Sequence, residues 1–353
     1  MEDPTQCHPH SEVPDSWPTL PELLEFRDRV RERLRSLYDG RELTQKQKRA
    51  IWLGFEHEVM HLETLLYMLI QSPKTRPPSY THAPDWKELA FRGRKPIIDE
   101  SEKWQYFPGG EITVGLDDVE EDDTLSSAFF GWDNENPRRK QFVKPFLSSK
   151  RAITNGEYAM YLQHTNGRPP PSWSGTSPNW TVKTVFGAVP LSLATEWPVM
   201  ASYDELKAYA EWKGGRLPTE SELRYLYDYL HMKDSVARRN AVNIDAVNGH
   251  LTQNGVNTTP PSASYESATS SLNGIDGAKE SIKGTATFGT GSDVFVDMTG
   301  KNIGFRHWHP TPLPAANKLS TCADGGAWEW TSTTFDKHEG WKASKVYPGY
   351  SGT

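Results

Sequence analysis

From Thr44 to Gln71 the sequence keeps a helical period without a break, and beyond Trp104 it never sustains one for long. This change of texture constrains the fold more than any other feature. A 3.6-residue apolar repeat buries one side of a helix, whereas short apolar runs cut by Gly and Pro make strands and turns. Two kinds of structure are therefore expected in one chain of 353 residues.

The helical part begins at Thr19-Leu20-Pro21-Glu22, where Thr19 is a candidate N-cap, Glu22 occupies the reciprocal capping position and Pro21 sits in the first turn. Leu23, Leu24, Phe26, Val30, Leu34 and Leu37 then form an apolar stripe, so this helix is expected to pack on something. Thr44 and Gln47 repeat the capping logic for a second helix that Ser72-Pro73 stops. The expected first domain is 1–74, and Pro-rich 75–103 reads as an irregular linker. Residues 104–353 read as an α+β domain, with an apolar run at Gly110–Val114 and helical signatures near Asn155–Gln163 and Tyr203–Lys213. Within it, Ser/Thr/Gly/Asn-rich 233–300 reads as a flexible insertion.

Several function classes are excluded early. With 39 Lys+Arg against 46 Asp+Glu, a net charge of −7 and no basic block, no nucleic-acid partner is expected. The longest mainly apolar stretch, Val59–Ile70, is interrupted by His61, Glu63 and Thr64 and falls short of the roughly 20 residues that span a bilayer. No membrane partner is expected. The first residues lack the basic and apolar regions of an export signal, and Cys7 and Cys322 make no framework. A cytoplasmic location is the expectation.

The sharpest motif is His57-Glu58-Val59-Met60-His61-Leu62-Glu63. Two histidines four apart lie on one helix face, about 40° apart, which suits two ligands of one metal. Imidazole alone does not choose among Fe, Zn, Cu and Ni. Leu53, Met60, Thr64 and Met68 share that face and Leu62, Leu65 and Leu66 cover the other, so the helix is expected to be buried. Two core histidines bonded to backbone or carboxylate are the plainer alternative. Glu58 also meets the zinc-protease pattern, but no third ligand follows within its expected reach. Glu56 and Glu63 occupy a different face. His8/His10 and His307/His309 are pairs spaced by two, which on one strand face could supply ligands, but both flank prolines in irregular sequence and read first as surface or turn histidines. Gly215-Arg216-Leu217-Pro218-Thr219-Glu220-Ser221-Glu222 reads as a loop-to-helix junction capped by Thr219 and Glu222. Trp328 and Trp330 are at strand spacing, so both rings are expected to face one side and pack in the core.

Gly215–Glu220 followed by Gly325-Gly326-Ala327-Trp328-Glu329-Trp330-Thr331-Ser332, with Phe107–Gly110 and Asn155–Tyr158 upstream, resembles the formylglycine-generating-enzyme (sulfatase-modifying factor) domain, a C-type-lectin-like fold. The preceding His-x-x-x-His-x-Glu helix resembles a DinB-like bundle, here partial. Their order, and Cys7–Pro14, are similar to the nonheme iron sulfoxide synthases of ergothioneine biosynthesis, of fungal type. The resemblance implies Fe(II)- and O₂-dependent joining of hercynine to cysteine with sulfoxidation. It makes His57 and His61 two of three iron histidines, and a tyrosine, Tyr347 or Tyr350, the donor to the oxygen species. Neither cysteine matches the paired copper-binding thiols of true formylglycine generators, and Cys322 reads as a buried structural thiol. Against the family pattern the chain reads as truncated at both ends, lacking the third iron histidine and the closing segment. Impaired turnover is the expectation, with a methyltransferase domain or another polypeptide as partner. The alternative is a catalytically inactive lectin-like binding or scaffold protein.

Overall fold

A computed structural model of the chain describes residues 16–40, 42–118, 130–240 and 300–347. Most of the expected insertion at 233–300, namely 241–299, lies outside the described residues, as do Cys7, His8, His10 and Tyr350. The fold is α+β: helices dominate the N-terminal part, and small sheets with further helices make up the rest. No helix among the described residues is long and apolar enough to cross a membrane.

Helix α1 (Leu20–Leu37) starts at the expected cap, where the backbone N–H and the hydroxyl of Thr19 both donate to the Glu22 carboxylate at 2.7 Å. Its apolar stripe does not pack as expected, and none of its residues is buried. Helix α2 (Gln45–Leu69) is likewise capped by Thr44 and Gln47. The expectation that it is buried fails: only Arg49 and Leu53 are, while Met60, Leu62, Leu65 and Met68 stay about half exposed. Apolar periodicity defines the face that can be covered and does not supply the cover. The stretch read as an irregular linker contains α3 (Trp86–Gly93), started by Asp85, whose carboxylate accepts from the N–H groups of Lys87 (2.9 Å) and Glu88 (3.1 Å).

The chain divides into two compact units. One comprises 1–63, 115–139 and 336–353, the other 64–114 and 140–335. In the second unit β1 (Trp104–Phe107) pairs antiparallel with β4 (Phe146–Ser149), and β2 (Gly110–Val114) lies beside β3 (Arg139–Val143). β5 (Trp173–Ser174), β6 (Thr181–Thr184) and β7 (Gly187–Pro190) form an antiparallel meander. The turn between β1 and β2 needs Gly109, whose φ is +72° and whose added Cβ would lie 2.2 Å from the Val143 carbonyl oxygen.

Two apolar clusters hold this unit. The larger gathers Tyr158 and Leu162 of α4 (Asn155–Thr165), Trp173, Trp180, Trp197 and Tyr209 of α5 (Tyr203–Trp212). The smaller joins Phe107, Ile112 and Val143 to Tyr225 and Leu226 of α6 (Glu220–Asn240). At roughly 1.5–3 kcal/mol for each large apolar side chain fully buried, these clusters are the main stabilising term. Buried Asn155 ties the larger one together, donating to the Ala194 carbonyl at 3.0 Å and accepting from the Trp173 indole at 3.2 Å.

The paired tryptophans depart from expectation. Residues 328 and 330 lie in no strand, and their side chains are 82% and 49% exposed. Glu329 between them turns inward instead, accepting from the Cys322 N–H at 2.8 Å and the Tyr227 hydroxyl at 2.9 Å. An alternating backbone that turns the glutamate inward sends both neighbours outward. Burial and the Glu329 carboxylate push the Cys322 thiol well up, in keeping with an unreactive structural role.

The α6 junction carries a lock beyond its cap. Thr219 N–H donates to the Glu222 carboxylate at 2.8 Å, and Arg216 grips both oxygens of that carboxylate at 2.8 and 2.6 Å. The Arg216 hydrogen bonds hold the Glu222 carboxyl below the ordinary range. Its stabilisation is therefore present above the unfolded-state pKa and lost as pH falls through the lowered value. Glu222→Gln should cost about 1–2 kcal/mol at neutral pH by urea denaturation. The gap to the parent should narrow once the pH drops below about 4, because only the parent loses a titrating contact there.

Candidate active site

The first unit contains the histidine motif, and its geometry begins with one stripe of α2. Arg49, Leu53, His57 and His61 are each four residues apart, so each advances about 6 Å along the axis and turns about 40° from the last. The buried end of the stripe is fixed by charge. Arg49 donates to the Asp118 carboxylate at 2.5 Å, with side chains 7% and 2% exposed. Asp118 also accepts from the Gly131 N–H at 3.1 Å, its own N–H donates to Asn136 at 2.9 Å, and the Arg49 guanidinium lies 5.2 Å from the centre of the Phe130 ring.

Aromatic contacts carry this arrangement to the last segment of the unit. Trp52 of α2 packs on Trp132 at 6.0 Å, and Trp132 meets Tyr347 edge-on at 5.3 Å. The Tyr347 oxygen accepts from the Asp133 N–H at 2.7 Å, while the Asp133 carboxylate accepts from the Ser344 N–H at 3.1 Å. A cavity of about 420 Å³ results, lined by Arg49, Leu53, Asp118, Asp133, Lys342 and Tyr347 among others. Residues distant in sequence are thus brought to one hollow beside the histidine stripe.

His57 and His61 do come together, with Nε2 atoms 3.0 Å apart and ring centres 4.5 Å apart. That spacing suits a hydrogen bond between neutral rings. It equally suits two adjacent ligands of a six-coordinate ion, whose nitrogens at about 2.1 Å from the metal stand about 3.0 Å from each other. His57 is half-buried and His61 exposed, so burial does not by itself demand a partner for them. Among the described residues, no group of three His, Cys, Asp or Glu side chains converges on one point. The pair fits two corners of a metal site. Glu63 is raised above the ordinary carboxylate range by burial and then by the neighbouring charge of Glu56.

Sequence reasoning missed the Arg49–Asp118 pair, although Arg49 stands two four-residue steps before His57 on the same stripe. A charged residue on the apolar side of a helix is the available signal. Asp118→Ala should cost about 3–5 kcal/mol, because it leaves a buried guanidinium without its counter-charge. Arg49→Met with Asp118→Leu should recover most of that loss. Urea unfolding of the single and double variants checks both expectations.

Comparison with known proteins places this geometry in context. Residues 99–352 match the family described as the Sulfatase-modifying factor enzyme 1-like domain. Ergothioneine biosynthesis protein 1 of Neurospora crassa is 40% identical over 390 residues, covering 99% of this chain and 43% of that protein. Its namesake in Schizosaccharomyces pombe is 30% identical over 99% of this chain and 40% of its own length. Hercynine oxygenase of Mycolicibacterium smegmatis is 28% identical over 131 residues, 33% of this chain and 29% of that protein. The chain spans less than half the length of the two fungal relatives it matches. With 99–352 matched, it belongs to the sulfatase-modifying factor enzyme 1-like domain family.

Proposed function

We propose that the chain carries part of an Fe(II)-dependent sulfoxide synthase of ergothioneine biosynthesis, joining hercynine to cysteine. The observation that supports this reading most directly is the 3.0 Å separation of His57 Nε2 and His61 Nε2 at the end of a stripe whose other end walls a cavity. Relatives named for ergothioneine biosynthesis and for hercynine oxygenation support the choice of substrates. Fe(II), when bound, supplies the redox chemistry that O₂ requires.

The balance of the reaction is one hercynine C–H, one cysteine S–H and one O₂ converted to a C–S bond, an S–O bond and one water. The four electrons that reduce O₂ come from the two substrates. In this reading His57 and His61 hold the metal through Nε2. Tyr347 holds a proton at its phenolic oxygen, which the Asp133 N–H fixes against the cavity. Tyr350 is a second candidate for that role. The cavity walls orient the amino acids, with Lys342 available to a carboxylate.

The alternative of an inactive binding or scaffold protein draws on the absence of a third converging donor among the described residues. One experiment separates the two. The chain is loaded with Fe(II) under nitrogen, its iron content measured, and hercynine, cysteine and O₂ are then added, with the sulfoxide read by mass spectrometry. Iron retention is expected to be weak and to vanish in the His57→Ala/His61→Ala variant, together with any sulfoxide. Tyr347→Phe should keep the iron and lower product by about 10²-fold or more. Unchanged iron in the double histidine variant would overturn the ligand assignment, and iron-independent folding without product would favour the scaffold.

A further inference from the structure

One wall of the cavity is the segment 338–347, which supplies Lys342, Ser344 and Tyr347 among others, while Asp133, Asn136 and Pro137 belong to the stretch on which it rests. The far end of the segment is held by Asp133, whose carboxylate takes the Ser344 N–H and whose N–H donates to the Tyr347 oxygen. The near end is held by His338.

His338 opens a tight turn. The Trp341 N–H donates to the His338 carbonyl at 3.1 Å, and the third residue, Gly340, has a φ of +81°, which a side chain would strain. The His338 ring then stands between two carbonyl oxygens, with Nδ1 3.1 Å from that of Glu339 and Nε2 3.0 Å from that of Asn134. A carbonyl only accepts, so a ring nitrogen bonds to it only when it carries a proton. Neutral imidazole carries one such proton and imidazolium two. The neutral ring therefore bonds one carbonyl and turns a lone pair on the other, whereas the imidazolium bonds both, with charge-assisted hydrogen bonds.

The Asn134 contact is the one that joins segment to turn, across 204 residues of sequence. Asn134 lies in the short turn Asp133–Glu135. The charged groups of the two stretches are Asp133, Glu135 and Arg138 on one side, the last 3.6 Å from Asp117, and Asp336, Lys337, Glu339, Lys342 and Lys345 on the other, with Lys337 Nζ 4.8 Å from the centre of the Trp341 ring. Among the described residues, the hydrogen-bond partners of the His338 ring are the two carbonyls. We infer that His338 is a positioning residue for the cavity: its protonated ring fastens the segment that carries Tyr347 onto the 133–135 turn, and loss of the proton loosens that wall. Protons favour the fastened arrangement, so closure strengthens as pH falls and weakens as pH rises. The part that Tyr347 plays in chemistry rests on the reading above; the fastening itself does not.

Backbone hydrogen exchange in the full chain, corrected for the pH dependence of exchange itself, reads the fastening without iron or turnover. Peptides covering 338–347 should be about three- to tenfold more protected at about pH 5 than at about pH 8, the interval over which histidines exchange a proton, with α5 of the other unit as control. His338→Gln, neutral throughout, should lose this dependence. His338→Arg, a donor at every pH, should keep the protected level at about pH 8. A purely structural His338 would instead give lower protection in His338→Gln at both pH values with the trend intact. That result, or protection in the parent that does not change with pH, would defeat the assignment. Either leaves the His57/His61 reading untouched, and failure to bind iron leaves this one untouched.

Discussion

The buried pair of Arg49 and Asp118 is the constraint on which the histidine-bearing unit depends. Two charges taken out of water are tolerable only when each is fully engaged, and here the carboxylate serves a guanidinium and a backbone N–H at once while the guanidinium also lies against Phe130. Such a pair contributes little to net stability while it is whole, because desolvation offsets most of the attraction. It fastens the Arg49 end of the α2 stripe, on which Leu53 and the two imidazoles follow at four-residue steps. Trp52 and Trp132 then stack the neighbouring segment onto the same helix, and Tyr347 is held at the far side of Trp132.

Local features were legible in the sequence because they are decided within a few residues. The caps at Thr19, Thr44 and Thr219 each form as the side-chain pattern dictates, and the helices at 155 and 203 begin within a residue of their signals. The α+β character was legible for the same reason. What failed depended on partners far away. The stripes of α1 and α2 predicted burial that most of their residues do not have, since amphipathicity records a preference and cannot say whether anything meets it.

Trp328 and Trp330 show the same limit from the opposite side. Their expected place in the core was assigned by hydrophobicity, and both are exposed instead. The structure assigns it by the carboxylate of Glu329, which finds the Cys322 N–H and the Tyr227 hydroxyl inside. The half-buried carboxylate finds both of its donors on the inner side, and the two indoles are left outside. Arg49 escaped notice for a related reason: its partner lies 69 residues away and no local pattern points to it.

The cavity is walled by stretches near residues 49, 118, 133 and 345, and one of its fastening contacts, from Asp133 to Tyr347, closes over 214 residues. At roughly 5–20 residues per second, a ribosome needs roughly 10–40 s to deliver the second half of that contact after the first has emerged. During that interval the indoles and the guanidinium of the unfinished wall face the nascent-chain environment, and the intervening unit has ample time to condense on its own. Assembly of the hollow therefore waits for the tyrosine, long after the helix that walls its other side has been made.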